Sequence, residues 1–478
     1  MKYSHLKSGT DIRGVALGDN ITLSPEIAGR CAGAFSRWLQ EKTGHTVLRI
    51  AVGADCRKSS PDLQEAVCRA LKSAGNTVLN CQGATTPSMF FATQAADCDG
   101  AIEITASHLP PERNGLKFFT KEGGLEGADI AVILQYAEQE PENVEGGAIL
   151  SYDIMTPYSQ SLREIIGART GKSQPFAGLK IIVNAGNGMG GFFASQVLAP
   201  LGADTTGSVN LTPDGTFPVH IPNPESKAAM AATAAAVCAA GADFGICFDT
   251  DCDRAGLVDQ AGKEINSNRL IALISAILLE EQPGITVVTD SVTSTGLSEF
   301  ITAHGGKHHR FKRGYKNVID EAKRLESVGI CAPLAIETSG HAALKENHYL
   351  DDGAYLIVRL LCAAAKGGQL SDKIKSLPEA AEAMEIRPTI TKEDFKAYGQ
   401  QTLTDFETYI QQFGTVEKPS FEGVRVNFDK EHGDGWCLMR LSVHDPVLPI
   451  NIESNRAGGC AVIEQYIREF LQTRPGIR

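Results

Sequence analysis

The chain is short of cations, of long apolar runs and of cysteine motifs. Its 478 residues carry 45 Lys and Arg against 57 Asp and Glu, a formal net charge of −12. Such a molecule repels phosphate backbones, which argues against nucleic acid as a partner. Any anionic substrate must then meet a local basic cleft. The longest uncharged apolar stretch, near 270–279, has about ten residues, whereas a bilayer span needs about 20. This excludes a membrane segment. The first 14 residues hold Lys2, Lys7, Asp11 and Arg13 and no apolar core, so they are not a signal peptide. The 12 cysteines are scattered, with no CxxC and no zinc-type Cys/His spacing. That usage fits buried thiols in a reducing compartment, and the expected location is the cytoplasm. No sharp internal repeat is visible, and nothing in the sequence sets an oligomeric state.

What is present is the composition of a globular protein, with 42% apolar and 21% charged residues and 48 glycines. At about 100–200 residues per domain, the length suggests three or four domains. Short apolar runs at 48–52, 100–104, 130–134, 180–183, 244–248, 286–288 and 332–336 read as strands. They alternate with helical patterns at 26–42, 61–74, 225–240, 269–279, 318–325 and 356–364. The alternation predicts α/β layers. Segment 138–147 (EQEPENVEGG) reads as a linker, and weaker breaks fall near 259–263 and 376–380. Beyond them, 421–428 and 436–443 read as an antiparallel strand pair, followed by a last helix over 458–472.

Three polar loops follow predicted strands, where α/β sheets place ligands. In Thr105-Ala106-Ser107-His108-Leu109-Pro110, a serine stands beside a histidine, with Asn114-Gly115-Leu116-Lys117 shortly after. There is no GxSxG elbow for a hydrolase, and a bland alternative is a helix cap with a solvated imidazole. In Asp249-Thr250-Asp251-Cys252-Asp253-Arg254, three alternating carboxylates can converge on one hard cation such as Mg²⁺. Alternatives are an acidic surface loop, or an aspartyl nucleophile and acid, Asp249 and Asp251, as in haloacid-dehalogenase-like phosphatases. In Glu337-Thr338-Ser339-Gly340-His341, Glu337 and Ser339 suit vicinal sugar hydroxyls, and a capping loop is the alternative. A basic set, Arg13, Lys117, Arg254, Lys312, Arg313, Lys316 and Arg440, flanks these loops as a phosphate cleft requires.

Taken together, the motifs resemble the α-D-phosphohexomutase superfamily, the phosphoglucomutases and phosphomannomutases. GTDIRG (9–14), VGADCRKSS (52–60), the Thr86-Pro87 turn, TASHLPPERNGLK (105–117), PDGTFPVHIPNP (213–224), DTDCDR (249–254), KRGYK (312–316), ETSGH (337–341) and DDGAY (351–355) follow the family's order over nearly the whole chain. The resemblance implies three α/β mixed-sheet domains, 1–150, 151–260 and 261–377, and a small α+β domain, 378–478, around a common cleft. It implies a phosphoserine at Ser107 and Mg²⁺ held by Ser107, Asp249, Asp251 and Asp253. Arg13, Lys117 and His341 would share the catalytic work. His108, Arg254, Lys312, Lys316, Glu337, Ser339, Arg440 and Ser442 would bind the phosphosugar. The reaction implied interconverts hexose 1- and 6-phosphates through a hexose 1,6-bisphosphate. Alternatives are a phosphoglucosamine-type mutase and a paralogue that binds without turnover or takes another substrate.

The chain departs from the family twice. Thr250 replaces the metal-loop glycine, which requires that this position not need positive φ. The C-terminal phosphate loop, RPSGTEP-like in the family, reads Arg440-Leu441-Ser442-Val443-His444-Asp445-Pro446 here. Two compensations are visible: a cationic His444, or a grip built from Ser454-Asn455-Arg456-Ala457-Gly458-Gly459 at the start of the last helix. The second, with Arg456 and Arg440 sharing a phosphate, is the expectation carried forward.

Overall fold

The computed structural model describes residues 2–140, 144–442 and 445–478. Val443 and His444, and residues 141–143 of the expected linker, lie outside the described residues. The chain forms two compact units: Met1–Leu270 with Ser339–Asp372, and Ile271–Thr338 with Lys373–Arg478.

The first unit is organised by a mixed eight-stranded sheet. Its order is Lys7–Ser8, Asp11–Val15, Arg113–Thr120, Gly100–Ile104, Arg49–Ala54, Thr77–Gly83, Ala148–Ser151, with Gly123–Gly124 beside Arg113–Thr120. Alternation gives it two buried faces. Ile50, Val52, Ile102, Ile104, Leu116 and Phe118 pack under Pro25–Thr43 and Ser60–Ser73. Ala51, Leu79, Ala101 and Phe119 pack with Met89 and Phe90 of Thr86–Ala95. A sheet covered on both sides needs near-continuous apolar strands, which is why those runs were legible.

Residues 130–134, expected as a strand, instead lie within the helix Gly127–Tyr136. A short apolar run does not separate the two states by periodicity. A reciprocal cap between Glu126 and Asp129 starts this helix. Its Ile130, Ile133 and Leu134 then join the core beside Pro25–Thr43.

A second sheet in this unit has the order Glu264–Ile265, Ala255–Asp259, Phe244–Phe248, Ile181–Asn184. Phe244–Phe248 runs parallel to Ile181–Asn184 and antiparallel to Ala255–Asp259. The three-aspartate loop is therefore a hairpin tip. Because Glu264–Ile265 stays in this sheet, a division at 260 would cut a hairpin.

In the second unit, Thr286–Thr289 pairs in parallel with Lys307–Arg310 and Leu334–Ile336. A separate antiparallel sheet has the order Glu382–Ile386, Ile450–Ser454, Gly435–Met439, Val424–Phe428, Thr415–Val416. The helices Phe395–Ile410 and Gly459–Gln472 pack on it through Phe406, Ile410, Ile463, Ile467 and Phe470. This is the expected α+β texture. All twelve cysteines are free, and most are buried.

Candidate active site

The site grows from a carboxylate problem. Asp249, Asp251 and Asp253 are each at most 1% exposed, and burying a charge requires a partner. Lys117 comes from the antiparallel strand Arg113–Thr120 and places Nζ 2.8 Å from Asp251 Oδ2 and 2.5 Å from Asp253 Oδ2. Thr86, at the start of its helix, donates its hydroxyl to Asp251 Oδ2 and its backbone N–H to the Asp251 carbonyl. Arg254 donates its N–H to Asp249 Oδ1, and its guanidinium lies 3.9 Å from Asp249 and 3.8 Å from Asp253.

These partners leave the cluster incomplete. Asp251 Oδ1 and Asp253 Oδ1 are buried without a hydrogen bond. One oxygen from each aspartate lies within 4.8 Å of the others. Burial, together with the charges of Asp253 and Asp251, pushes Asp249 well above the usual carboxylate range. For Asp253, burial acts upward, but Lys117, His341 and Arg254 outweigh it and hold the group well below that range. Open, convergent, oxygen-only donors fit a hard divalent cation.

The loop geometry answers the question raised by Thr250. The left-handed residue is Cys252, at φ 64°, and Thr250 is not among the positive-φ residues. Threonine is therefore accommodated where a glycine was expected. Gly188 lets its own segment lie against the hairpin backbone: a Cβ there would stand 2.8 Å from the Thr250 Cα.

Ser107 is buried and also left-handed, at φ 50°. That conformation costs a non-glycine residue about 1–3 kcal/mol and persists only where its surroundings enforce it. Arg57 does the enforcing. Its guanidinium donates to the carbonyls of Ser107, Leu109, Pro110 and Arg113 and to Asp55 Oδ2. Asp55 in turn accepts from Thr105 and Ser60. The Ser107 hydroxyl emerges 2.9 Å from Asp249 Oδ2, 3.3 Å from His108 Nδ1 and 3.5 Å from an Arg254 terminal nitrogen. A cap with a solvated imidazole does not describe it. Burial, then Arg254 and Arg13, drive His108 down to about 2, so its ring is neutral. Arg13 pairs with Asp11 and reaches the Ala106 carbonyl.

His341 completes this group. Arg254 Nε donates to His341 Nε2 at 2.7 Å, and His341 Nδ1 faces Asp351 Oδ2 at 2.6 Å. A ring nitrogen that accepts from a guanidinium carries no proton, so the imidazole proton is on Nδ1. Gly340, at φ 96°, lets this segment lie on the hairpin: a Cβ there would be 2.8 Å from the Ala255 carbonyl oxygen. Ser339 Oγ is buried and has no hydrogen-bond partner.

The structure thus gathers Arg13, Ser107, His108, Lys117, the three aspartates, Arg254, Ser339 and His341 within the first unit. The remaining expected residues belong to the second. There Glu337 accepts the N–H of Gly314, Lys312 is exposed, and Lys316 pairs with Asp320. Arg440 is 8% exposed, and its Nε has no hydrogen-bond partner among the described residues. Burial lowers its pKa; Glu422 and Glu385 act upward, and Arg313 and Arg387 act downward. Ser442 stands two residues on, where its Oγ accepts from the Asp445 N–H.

The expected grip of Arg456 and Arg440 on one phosphate is not favoured by the strand register, in which Ser454 pairs with Gly435 and Ile450 with Met439. The two arginines therefore flank opposite ends of a five-residue strand pair, about 15 Å apart. The helix start near Arg456 is already occupied: Glu382 accepts the N–H groups of Gly458 and Cys460. This segment is a cap closed by the chain's own carboxylate. The residues that lacked an assigned role in the sequence are Asp55, Arg57, Thr86 and Asp351. The signal for the first two was present as D-x-R directly after an apolar strand.

Comparison with known proteins agrees with this geometry. The description "Phosphoglucomutase/phosphomannomutase, alpha/beta/alpha domain I" matches residues 5–143, domain II matches 156–262 and domain III matches 266–381. A phosphoglucomutase of Neisseria meningitidis serogroup A is 30% identical over 471 residues, 98% of this chain and 96% of that protein. A phosphomannomutase/phosphoglucomutase of Pseudomonas aeruginosa is 30% identical over 467 residues, 97% and 94% of the two chains. The crystal structure of a phosphoglucomutase/phosphomannomutase family protein from Burkholderia thailandensis matches with a TM-score of 0.82 at 27% identity, covering 99% of this chain and 98% of that one.

Removing Arg57 leaves Asp55 buried without its counter-charge and takes the guanidinium from four carbonyls, of which Pro110 keeps the Arg113 N–H. Arg57→Met is expected to cost about 3–5 kcal/mol in urea unfolding of the first unit. The double variant Asp55→Asn/Arg57→Met should cost less than the sum of its two singles. Strict additivity would show that the pair does not hold the Ser107 loop.

Proposed function

The chain belongs to the phosphoglucomutase/phosphomannomutase family, and we propose that it interconverts hexose 1-phosphates and hexose 6-phosphates of glucose and mannose through a phosphoserine at Ser107. The observation that carries this reading is the Ser107 hydroxyl: strained, buried and 2.9 Å from one of three convergent aspartates. In this reading the chain has four domains: three α/β domains carrying the Ser107, aspartate and Glu337 loops, and a C-terminal α+β domain.

Asp249, Asp251 and Asp253 would hold a divalent cation, Mg²⁺, beside Ser107. When bound, that ion supplies positive charge against the oxygens of a transferring phosphoryl group. The chain's own residues do the rest. The Ser107 Oγ–P bond breaks as a P–O bond forms to the sugar's free hydroxyl, giving a 1,6-bisphosphate. Return of the other phosphoryl to Oγ completes the cycle. Little covalent chemistry is asked of the protein, so positioning and charge dominate. Arg13 and Arg254 offer guanidinium donors at the Ser107 loop, as phosphate oxygens require. His341, fixed between Asp351 and Arg254, orients the Arg254 guanidinium at Ser107, and its Nε2 would take the hydroxyl proton once substrate draws Arg254 away. The charged Lys117 holds two of the aspartates in place. Glu337 and Ser339 remain candidates for the sugar hydroxyls, and Arg440 with Ser442 for phosphate.

Three measurements test this. Purified protein should contain a fraction heavier by one phosphate, mapping to the peptide with Ser107. Ser107→Ala should lose that label and nearly all mutase activity, and full activity would refute the mechanism. Phosphate trapped instead as a base-labile ester would point to Asp249 as nucleophile.

At about 100 times its dissociation constant, Mg²⁺ should stabilise the fold by about 2.7 kcal/mol. Asp251→Asn should abolish most of that shift in melting experiments, and the shift should fade as the pH drops and the carboxylates protonate. An equal shift in parent and variant would remove Asp251 from the metal site.

Arg440→Ala should raise KM for the phosphosugar by about tenfold or more, since charged hydrogen bonds carry about 1.5–3 kcal/mol. Arg456→Ala should leave KM near the parental value. The reverse order would return the grip to the last helix.

A further inference from the structure

Glu103 is the anomaly of the first sheet. It occupies the middle of Gly100–Ile104, a strand buried at every position, and is itself 0% exposed. Its side chain lies on the face of Ala101, among Ala84 and Met89. Gly53 makes room for it: a Cβ at Gly53 would stand 2.7 Å from Glu103 Oε2. Both carboxyl oxygens are buried without a hydrogen bond. Leaving a polar group in that state costs about 1–3 kcal/mol, so an apolar side chain would serve the fold better. The fold alone does not account for this residue.

The strand register supplies a reason. Glu103 stands directly opposite Lys117 on the antiparallel neighbour. Opposed residues share a face, with Cβ atoms about 4.5–5.5 Å apart. Lys117 is the cation that holds Asp251 Oδ2 and Asp253 Oδ2, while the Oδ1 atoms of both stand open. A divalent cation entering on those open oxygens shares both carboxylates with the ammonium and repels it. Beyond the Thr86 hydroxyl at 3.4 Å, Lys117 then needs an acceptor on its own side of the sheet, and the open carboxyl there is Glu103.

We propose that Glu103 is a positioning residue that accepts the Lys117 ammonium as a divalent cation takes up the three aspartates. The inference rests on the reading of those aspartates as a metal site. It requires no change in the protonation of Glu103. Burial, then the charges of Asp55 and Asp251, push its carboxyl well above the ordinary range, while Lys117 acts in the opposite direction. A neutral acid still accepts through its carbonyl oxygen.

The test is Mg²⁺ titration by calorimetry on the full chain, which reads affinity without turnover. Glu103→Met removes the acceptor and should weaken Mg²⁺ binding about tenfold, the lower end of the scale for groups that hold metal ligands, since Glu103 acts on them through Lys117. Its melting temperature should be no lower than the parent's, because a buried unpartnered carboxyl is gone. Glu103→Gln keeps a carbonyl acceptor and should restore near-parental affinity. In a Lys117→Met background, Glu103→Met should have no further effect on affinity. Parental affinity in Glu103→Met, failure of Gln to restore it, or an equal loss without Lys117 would each overturn the proposal. If the unaltered chain bound no Mg²⁺, the metal-site reading would fall, and this inference with it.

Discussion

Three carboxyl groups buried on one hairpin tip cannot stand without cations and hydrogen-bond donors, and much of the first unit is arranged to supply them. Lys117 comes from the first sheet, Thr86 from the helix beside it and Arg254 from the hairpin itself. Even so, two oxygens stay open. Buried charge is tolerated only when it is paired and hydrogen-bonded. The incompleteness is thus the most informative feature of the cluster, because it specifies a hard cation by the donors it leaves free.

The same constraint reaches the serine. Asp249 accepts from the Ser107 hydroxyl while Arg254 faces both. The serine can sit there only because Arg57, fully buried, pins four carbonyls of its loop. A left-handed serine is held by a guanidinium that never needs to meet substrate. Rigidity of this kind is what phosphoryl transfer asks of a protein, since misplacement by about 1 Å can cost two orders of magnitude in rate.

In the second unit the decisive fact is strand register. Arg440 and Arg456 are close in sequence and both precede polar, turn-like stretches. The antiparallel pairing sends them to opposite ends, and Glu382 fills the helix start that would otherwise attract an anion. Arg440 is left among both Glu422 and Glu385 and Arg313 and Arg387, neighbours that sequence distance conceals.

The sequence by itself determined the layering, most element positions and the identity of the chemical loops. Strands buried on both faces must be apolar throughout, and loops that carry charge after them stand out. Gly100–Ile104 and Phe244–Phe248 fall on their expected residues, and Ser107 and the three aspartates were identifiable from their placement after these strands. Tertiary structure alone decided the rest. Whether 130–134 was helix or strand depended on a cap and a packing partner, not on its own pattern. That Cys252 and not Thr250 is left-handed is set by how the hairpin tip folds, which the motif does not state. The tautomer of His341, the strut of Arg57 and the pairing of Glu103 with Lys117 depend on register between strands distant in sequence. The physical reason is common to all. Composition states which charges a chain must bury, but the energy of each depends on distances of a few ångströms that only folding sets.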